Sequence, residues 1–193
     1  MDKVLLLWQY LLMTDVVNLP DFEFPIELRD AMRDDVEFLR TMAHTAVFRM
    51  VGQDIPEAEM PSVEEAMTVH GLSEYVEGWG REGDHGTIAS VNGEDIAAVW
   101  RRKYDRGEGV PEYERSIAIK GEYRGRSLGT LLAKREMSIA YDDGIKVMSV
   151  QIHRDNKVSC KLVEKQGFKP IREEDEHGYT LMAAPTEPFA TAK

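Results

Sequence analysis

Arg124-Gly125-Arg126-Ser127-Leu128-Gly129-Thr130 joins two stretches of different periodicity. Before it, Ser116-Ile117-Ala118-Ile119 is an apolar run with strand character; after it, Leu128, Leu131, Leu132 and Ile139 recur at helical spacing. The join is a small-residue turn between a strand and a helix. Such a turn leaves backbone N–H groups unpaired at the positive end of the helix, a natural seat for phosphate oxygens. Arg124 and Arg126 add charge where a polyphosphate would lie. No Lys follows Gly129, so the stretch is not a Walker-type loop, and the G-x-G-x-x-G dinucleotide pattern is missing. Taken alone, the turn also fits an ordinary strand–turn–helix connection.

Its surroundings are more specific. The run from Glu114 to Leu132 resembles the acyl-CoA motif of the GNAT-type N-acetyltransferase superfamily, in which Gln/Arg-x-x-Gly-x-Gly/Ala follows a strand. Arg124, Gly129 and the strand match, and Ser127 stands where the central Gly is usual. Further along, Asn156-x-x-Ser159-x-x-Leu162-Val163-x-x-x-Gly167-Phe168 resembles the second motif of that family, Asn-x-x-Ala-x-x-Leu-Tyr-x-x-x-Gly-Phe. The likeness extends over residues 25–184 and is densest over 114–168.

The resemblance implies an α/β fold: one GNAT-like domain over residues 24–184, with a mixed, mostly antiparallel sheet flanked by helices. Residues 1–23 then form an apolar extension and 185–193 a tail. It also implies acetyl-CoA as cosubstrate and transfer of the acetyl group to a primary amine by direct attack in a ternary complex. A small-molecule amine is the expected acceptor. The alternatives are a protein N-terminus or lysine, or a non-catalytic acyl-CoA-binding module.

Composition agrees with a soluble globular domain: 193 residues, 42% hydrophobic and 31% charged. One cysteine, Cys160, excludes an internal disulfide, and no Cys/His spacing suggests a structural zinc, so no metal is expected. A reducing, cytoplasmic setting follows as the default. Residues 1–100 carry 20 Asp/Glu against 6 Lys/Arg, and residues 101–193 carry 15 against 18, giving −14 and +3 for a net charge of −11. An acidic half joined to a mildly basic half suits an anionic cofactor and a cationic acceptor, although solubility explains the acids as well. Nucleic acid is disfavoured as a partner, because a strong phosphate-neutralising footprint is missing.

Along the chain, Val4–Met13 is apolar nearly all round but too short to span a bilayer. It reads as a short helix covered by the core or by a second subunit, so a homodimer is a possibility and a membrane is not. Phe24–Leu28 reads as a first strand, and the apolar face from Val36 to Val47 as a helix with Asp34 and Asp35 before its first turn. Ser62-Val63-Glu64-Glu65 is a capping box opening a second helix through about His70. Asn92-Gly93, between Thr87–Val91 and Ile96–Arg101, is a hairpin signal. Strands are expected at Glu114–Ile119, Val147–Ile152, Phe168–Ile171 and Tyr179–Ala183, with helices over Ser127–Asp143 and Val158–Gln166.

The chemistry needs a held thioester, a neutral amine and a destination for protons. By the resemblance, backbone groups of Ile117, Ala118 and Ile119 pair with pantetheine. The turn Arg124, Gly125, Arg126, Ser127, Leu128, Gly129 and Thr130 takes the pyrophosphate. Asn156 caps the second motif's helix and contacts pantetheine. If the turn requires positive φ at Ser127, that residue carries strain of about 1 kcal/mol. Glu114 is the candidate base, because a carboxylate can accept the amine proton if burial raises its pKa. It is equally readable as a solvated strand end. His153 is the alternative base, since histidine titrates near neutrality. Val163 stands where the family's tyrosine acid is common and cannot replace it. Tyr75, Trp79, Trp100 and Tyr104 are candidate acceptor walls, though each reads more readily as core, and Arg101-Arg102-Lys103 reads most simply as a solvated strand end that could meet the 3′-phosphate.

Overall fold

The computed structural model describes residues 14–48, 59–68 and 73–189. Eight strands form one sheet: β1 (Asp15–Val17), β2 (Ile26–Asp30), β3 (His85–Val91), β4 (Glu94–Lys103), β5 (Tyr113–Ile119), β6 (Val147–His153), β7 (Lys169–Pro170) and β8 (Tyr179–Pro185). Their order is β1-β2-β3-β4-β5-β6-β8-β7, antiparallel throughout except for β5 beside β6. Helices α1 (Val36–Phe48) and α2 (Val63–Met67) pack on one face. Helices α3 (Leu128–Asp142) and α4 (Lys157–Lys165) pack on the other. This is the mixed, mostly antiparallel sheet flanked by helices that the sequence implies.

Local chemistry sets the element ends. Asn92 and Gly93 both hold positive φ, at 51° and 78°, as a two-residue hairpin turn of matching twist requires. The Ser62 hydroxyl accepts from Glu65 N at 3.2 Å, and the Glu65 carboxylate accepts from Ser62 N at 2.8 Å, closing the capping box. The first long strand begins at Ile26 rather than Phe24, because Pro25 has no N–H to give a neighbour.

Two boundaries differ from expectation. Asp15–Val17 pairs with β2 as an edge strand, although it lies in the segment read as an extension; three residues are too few to show a period. At the other end β8 continues to Pro185, and Phe189 is buried in the cluster around Met137 and Met148. The apolar Val4–Met13 and the end of the second helix toward His70 lie outside the described residues. Among the described residues, no helix is long and apolar enough to cross a membrane.

The feature that prepares a site is the junction of β5 and β6. Their single bridge is Glu114 opposite Ser149, and Ser149 Oγ donates to Tyr113 O at 2.9 Å beside it. Beyond that point the strands diverge. On its other side β5 is paired with β4 from Tyr113 to Ile119. Along Ser116–Ile119, the edge of β5 toward β6 has no strand partner among the described residues. The period of two then divides β5: Ala118 packs with α1, whereas Ile117 and Ile119 pack with Leu128 and Leu132 of α3.

Candidate active site

A cavity of about 550 Å³ opens in the wedge between β5 and β6. One side is built by Ala43, Ala46 and Val47 of α1 with Tyr75, Trp100, Tyr104, Glu74 and Arg106. The other is built by Asn156, Ser159, Leu162 and Val163 of α4, and Arg115, Ser116 and Ile117 line it from β5. Its volume falls within the few hundred to a thousand cubic ångströms usual for small-molecule sites.

At the C-terminal end of β5 the turn runs into α3. The amides of Arg124 and Thr130 bond to Gly121 O and Ser127 O, while no backbone carbonyl among the described residues takes those of Gly125 through Gly129. The first turn of α3 carries no acidic residue, so its positive end is open to an anion. Ser127 adopts φ 63° at the N-cap, the positive value the sequence reading made conditional. Arg124 Nε donates to Ile119 O at 2.9 Å, which ties the turn back to β5. The Arg126 guanidinium lies over the rings of Phe22 and Tyr123, at 5.5 and 5.9 Å. Gly129 faces the wedge: a Cβ there would stand 3.4 Å from Ile119 Cδ1 and 3.7 Å from Leu162 Cδ2.

At the closed end, Glu114 is 3% exposed and lies under the cavity rather than in its lining. Arg106 Nη1 is 2.5 Å from its Oε2. Burial pushes the Glu114 carboxyl above the usual carboxylate range, against the opposing pull of Arg106 and the Tyr75 hydroxyl. That hydroxyl also donates to Gln151 Oε1 at 3.2 Å. Burial, reinforced by Glu114, raises the Tyr75 hydroxyl well above its ordinary value. Tyr75, Arg106 and Gln151 thus stand between Glu114 and the open space.

His153 lines the cavity at the far end of β6, edge-on to Tyr179 at 5.0 Å. Its Nδ1 accepts from Asp155 N at 3.2 Å, and a Cβ at position 178, which Gly178 lacks, would stand 3.0 Å from its Nε2. Asn156 is the N-cap of α4, its Oδ1 accepting from Ser159 N at 3.1 Å, and it lines the cavity. Val163 is 3% exposed and lines the same wall. Cys160 Sγ is 3.9 Å from His153 O, and burial raises its thiol. Ile117 reaches the cavity, whereas Ala118 is buried on the α1 face.

One expectation is overturned. Arg101 and Arg102 are 3% and 1% exposed, not a solvated end, because β4 is central and covered on both faces. Each brings its own carboxylate, Glu136 and Asp84. Arg101 pairs in register with Arg115, at the opposite end of β5 from the turn, so the trio does not meet a phosphate seated there. Trp79 is core, whereas Tyr75, Trp100 and Tyr104 do line the cavity. Sequence reasoning missed Arg106, Gln151 and Arg115. The last had a signal: a charge on the period-two face shared with Ile117 and Ile119. Arg106 lies in a glycine-containing loop that offers none.

Residues 52–168 match the model of the family described as acetyltransferase (GNAT) family. Solved structures share the fold. The yncA protein of Salmonella typhimurium, solved with its cofactor acetyl-CoA, is 19% identical with a TM-score of 0.62, over 83% of this chain and 94% of that one. The PaiA N-acetyltransferase of Thermoplasma acidophilum, solved with coenzyme A, is 20% identical with a TM-score of 0.60, over 83% and 98%. The GNAT domain of S. lividans PAT is 18% identical with a TM-score of 0.61, over 89% and 96%. A sequence comparison with curated proteins finds no match. With more than half of its length matched by the family, the chain belongs to the GNAT acetyltransferases, acyl-CoA-dependent N-acetyltransferases that use acetyl-CoA as cosubstrate.

Proposed function

We propose that the protein acetylates the primary amine of a small molecule by direct attack on acetyl-CoA. The observation that carries this reading is the cavity of about 550 Å³, which has an aromatic acceptor side and lies against the edge of β5 that has no strand partner among the described residues. Pantetheine lies along that edge as an added strand on Ile117–Ile119, and the pyrophosphate sits on the free amides from Gly125 to Gly129. Arg124 acts by holding the turn, Arg126 and Thr130 flank the phosphates, and Asn156 orients pantetheine from the cap of α4. The acceptor enters between α1 and the Tyr75–Tyr104 wall. A flat surface would be the expectation for an extended protein substrate, whereas α1 and the Tyr75–Tyr104 wall line a cavity here.

The amine proton leaves through Tyr75 to Glu114. Tyr75 accepts it as its own hydroxyl proton turns from Gln151 Oε1 to the carboxylate, so no free phenolate forms. The raised pKa of Glu114 makes it a better base than an exposed glutamate. His153 is less suited, since the lone pair on Nδ1 is already engaged by Asp155 N.

Thiol release from acetyl-CoA with a panel of amines and peptides tests the acceptor class. Turnover on small amines is expected; turnover on peptides alone would overturn it. For the proton route, Glu114→Gln should lower turnover near pH 7 by about a hundredfold, at the low end of what a general base supplies. The deficit should narrow as pH rises and more amine is free unaided, while CoA affinity stays constant. A Glu114→Gln enzyme with the wild-type pH–rate profile removes Glu114 from the mechanism.

A further inference from the structure

The closed end of the cleft holds a cation that no carboxylate touches among the described residues. Arg115, 3% exposed, lines the cavity beside Val163. Its Nη1 donates to Ala133 O of α3 at 3.3 Å and its Nη2 to Gln166 Oε1 at 2.9 Å, and the guanidinium lies 5.0 Å over the Phe168 ring. Its Nε is buried with no acceptor among the described residues. Every one of these partners is neutral. The nearby carboxylates are taken: Arg101, the cross-strand neighbour of Arg115, holds Glu136 at 2.7 Å and also pairs with Asp143. Glu136 is shared further with His85 at 2.8 Å.

A buried charge ordinarily brings its partner with it, because an uncompensated one is costly. Burial lowers the Arg115 pKa to about 10, with Glu136 opposing, so the group stays charged at neutral pH. It is therefore suited to an anion that arrives with the ligand. Position says which one. From Arg115 to Ile119 the strand spans about 13 Å, comparable to an extended pantetheine arm. With the pyrophosphate on the turn, the sulfur comes to the Arg115 end. There α4 presents Val163, which donates no proton and packs with the Phe168 ring under Arg115.

We propose that Arg115 stabilises the departing CoA thiolate by charge, in place of an acid on α4. The proposal rests on the cofactor reading of the cleft. The acceptor nitrogen adds its lone pair to the thioester carbonyl carbon and a C–N bond forms. The C–S bond then breaks, and sulfur leaves with the bonding pair as a thiolate. The amine proton departs by Tyr75 and Glu114; Arg115 keeps its protons and forms an ion pair with the sulfur. Nothing is oxidised or reduced.

The other groups facing this end cannot supply the charge. Arg106 is held by Glu114 across the sheet, and Glu136 is acidic. His153 and Tyr179 stand further along, on β6 and β8, and the Cys160 thiol is held neutral by its raised pKa. Glu74, Tyr75 and Tyr104 line the acceptor side, with Asp175 and His177 elsewhere in the wall.

The bound CoA thiol reads this directly. Its titration on the native protein is followed by thiolate ultraviolet absorbance, with desulfo-CoA as the blank. It should fall about one unit or more below free CoA in the same buffer, since a nearby cation favours the charged form. Arg115→Gln should return it to the free value or above and lower kcat by about a hundredfold, the scale of one preorganised donor. CoA affinity at low pH, where the thiol is neutral, should hold. Arg115→Lys, which keeps the charge, should retain most of the shift. If the native bound thiol titrates at or above the free value, the proposal is overturned whatever the variants do, because burial alone raises a thiol. Equal losses of affinity and turnover in Arg115→Gln, with an unmoved thiol, assign the residue to structure. Failure of native protein to bind CoA removes the cofactor reading itself.

Discussion

Ser127 holds φ at 63° and its side chain makes no capping bond, so nothing local offsets the crowding of its Cβ. Glycine would adopt this geometry freely, and a residue with a side chain costs about 1 kcal/mol there. A hydroxyl placed among five amides with no backbone acceptor among the described residues can donate one more hydrogen bond to a phosphate oxygen, which is the compensation we assign to it. Ser127→Gly should therefore raise the melting temperature of the ligand-free protein by roughly 2 °C. It should also weaken CoA several-fold, the loss expected for one hydrogen bond of about 1 kcal/mol. Ser127→Ala separates the two effects: it keeps the strain, loses the hydroxyl and should match the glycine variant in affinity but not in stability. Calorimetry and thermal melts decide, and a lower melting temperature for Ser127→Gly would show that the turn is not strained.

The elements that meet at the site are β5, the turn and α3, and Gly129 is where they crowd. Its position tolerates a small Cβ beside Ile119 and Leu162 but not a long anionic chain in front of the amides. Gly129→Glu should fold, since the helix start is otherwise solvated, yet lose CoA binding through bulk and charge against the pyrophosphate. Unchanged affinity by calorimetry in a folded variant would remove the turn as the phosphate seat. This element was legible from sequence because its signals are local: Gly125, Ser127 and Gly129 follow a strand and precede a helical stripe. Asn92-Gly93 and the Ser62–Glu65 box were legible for the same reason. What escaped was set by distant partners. Whether Arg101 and Arg102 face water depends on which strands flank β4. The Tyr75–Glu114–Arg106 group is assembled from three separated segments. The divergence of β5 from β6 hangs on one bridge, Glu114 to Ser149, which no composition or period announces.

Across the whole molecule, the ionised network behind α3 fastens the sheet to the helix that carries the phosphate turn. His85 Nδ1 lies 2.8 Å from Glu136 Oε2 and its Nε2 3.6 Å from Asp30 Oδ1; Arg101 and Arg135 extend the chain of charges to Asp143 and Asp15. Burial pulls the His85 pKa down, but its bonds to Asp30 and Glu136 outweigh this and raise it from 6.5 to about 9. A folded value above the unfolded one means that protonated His85 stabilises the fold. That contribution is complete below about pH 6.5, declines as pH rises and is gone above about pH 9. Amine acetylation pulls the other way, since more free amine is available at high pH. The protein should therefore lose stability across the range in which its chemistry speeds up. The gap in melting temperature between wild type and His85→Gln should be largest near pH 6. It should shrink by roughly 5 °C through pH 9, while neither variant changes its CoA affinity at pH 7. A gap that stays level from pH 6 to 9 would mean that His85 is not protonated in the folded protein and that Glu136 is held by Arg101 alone.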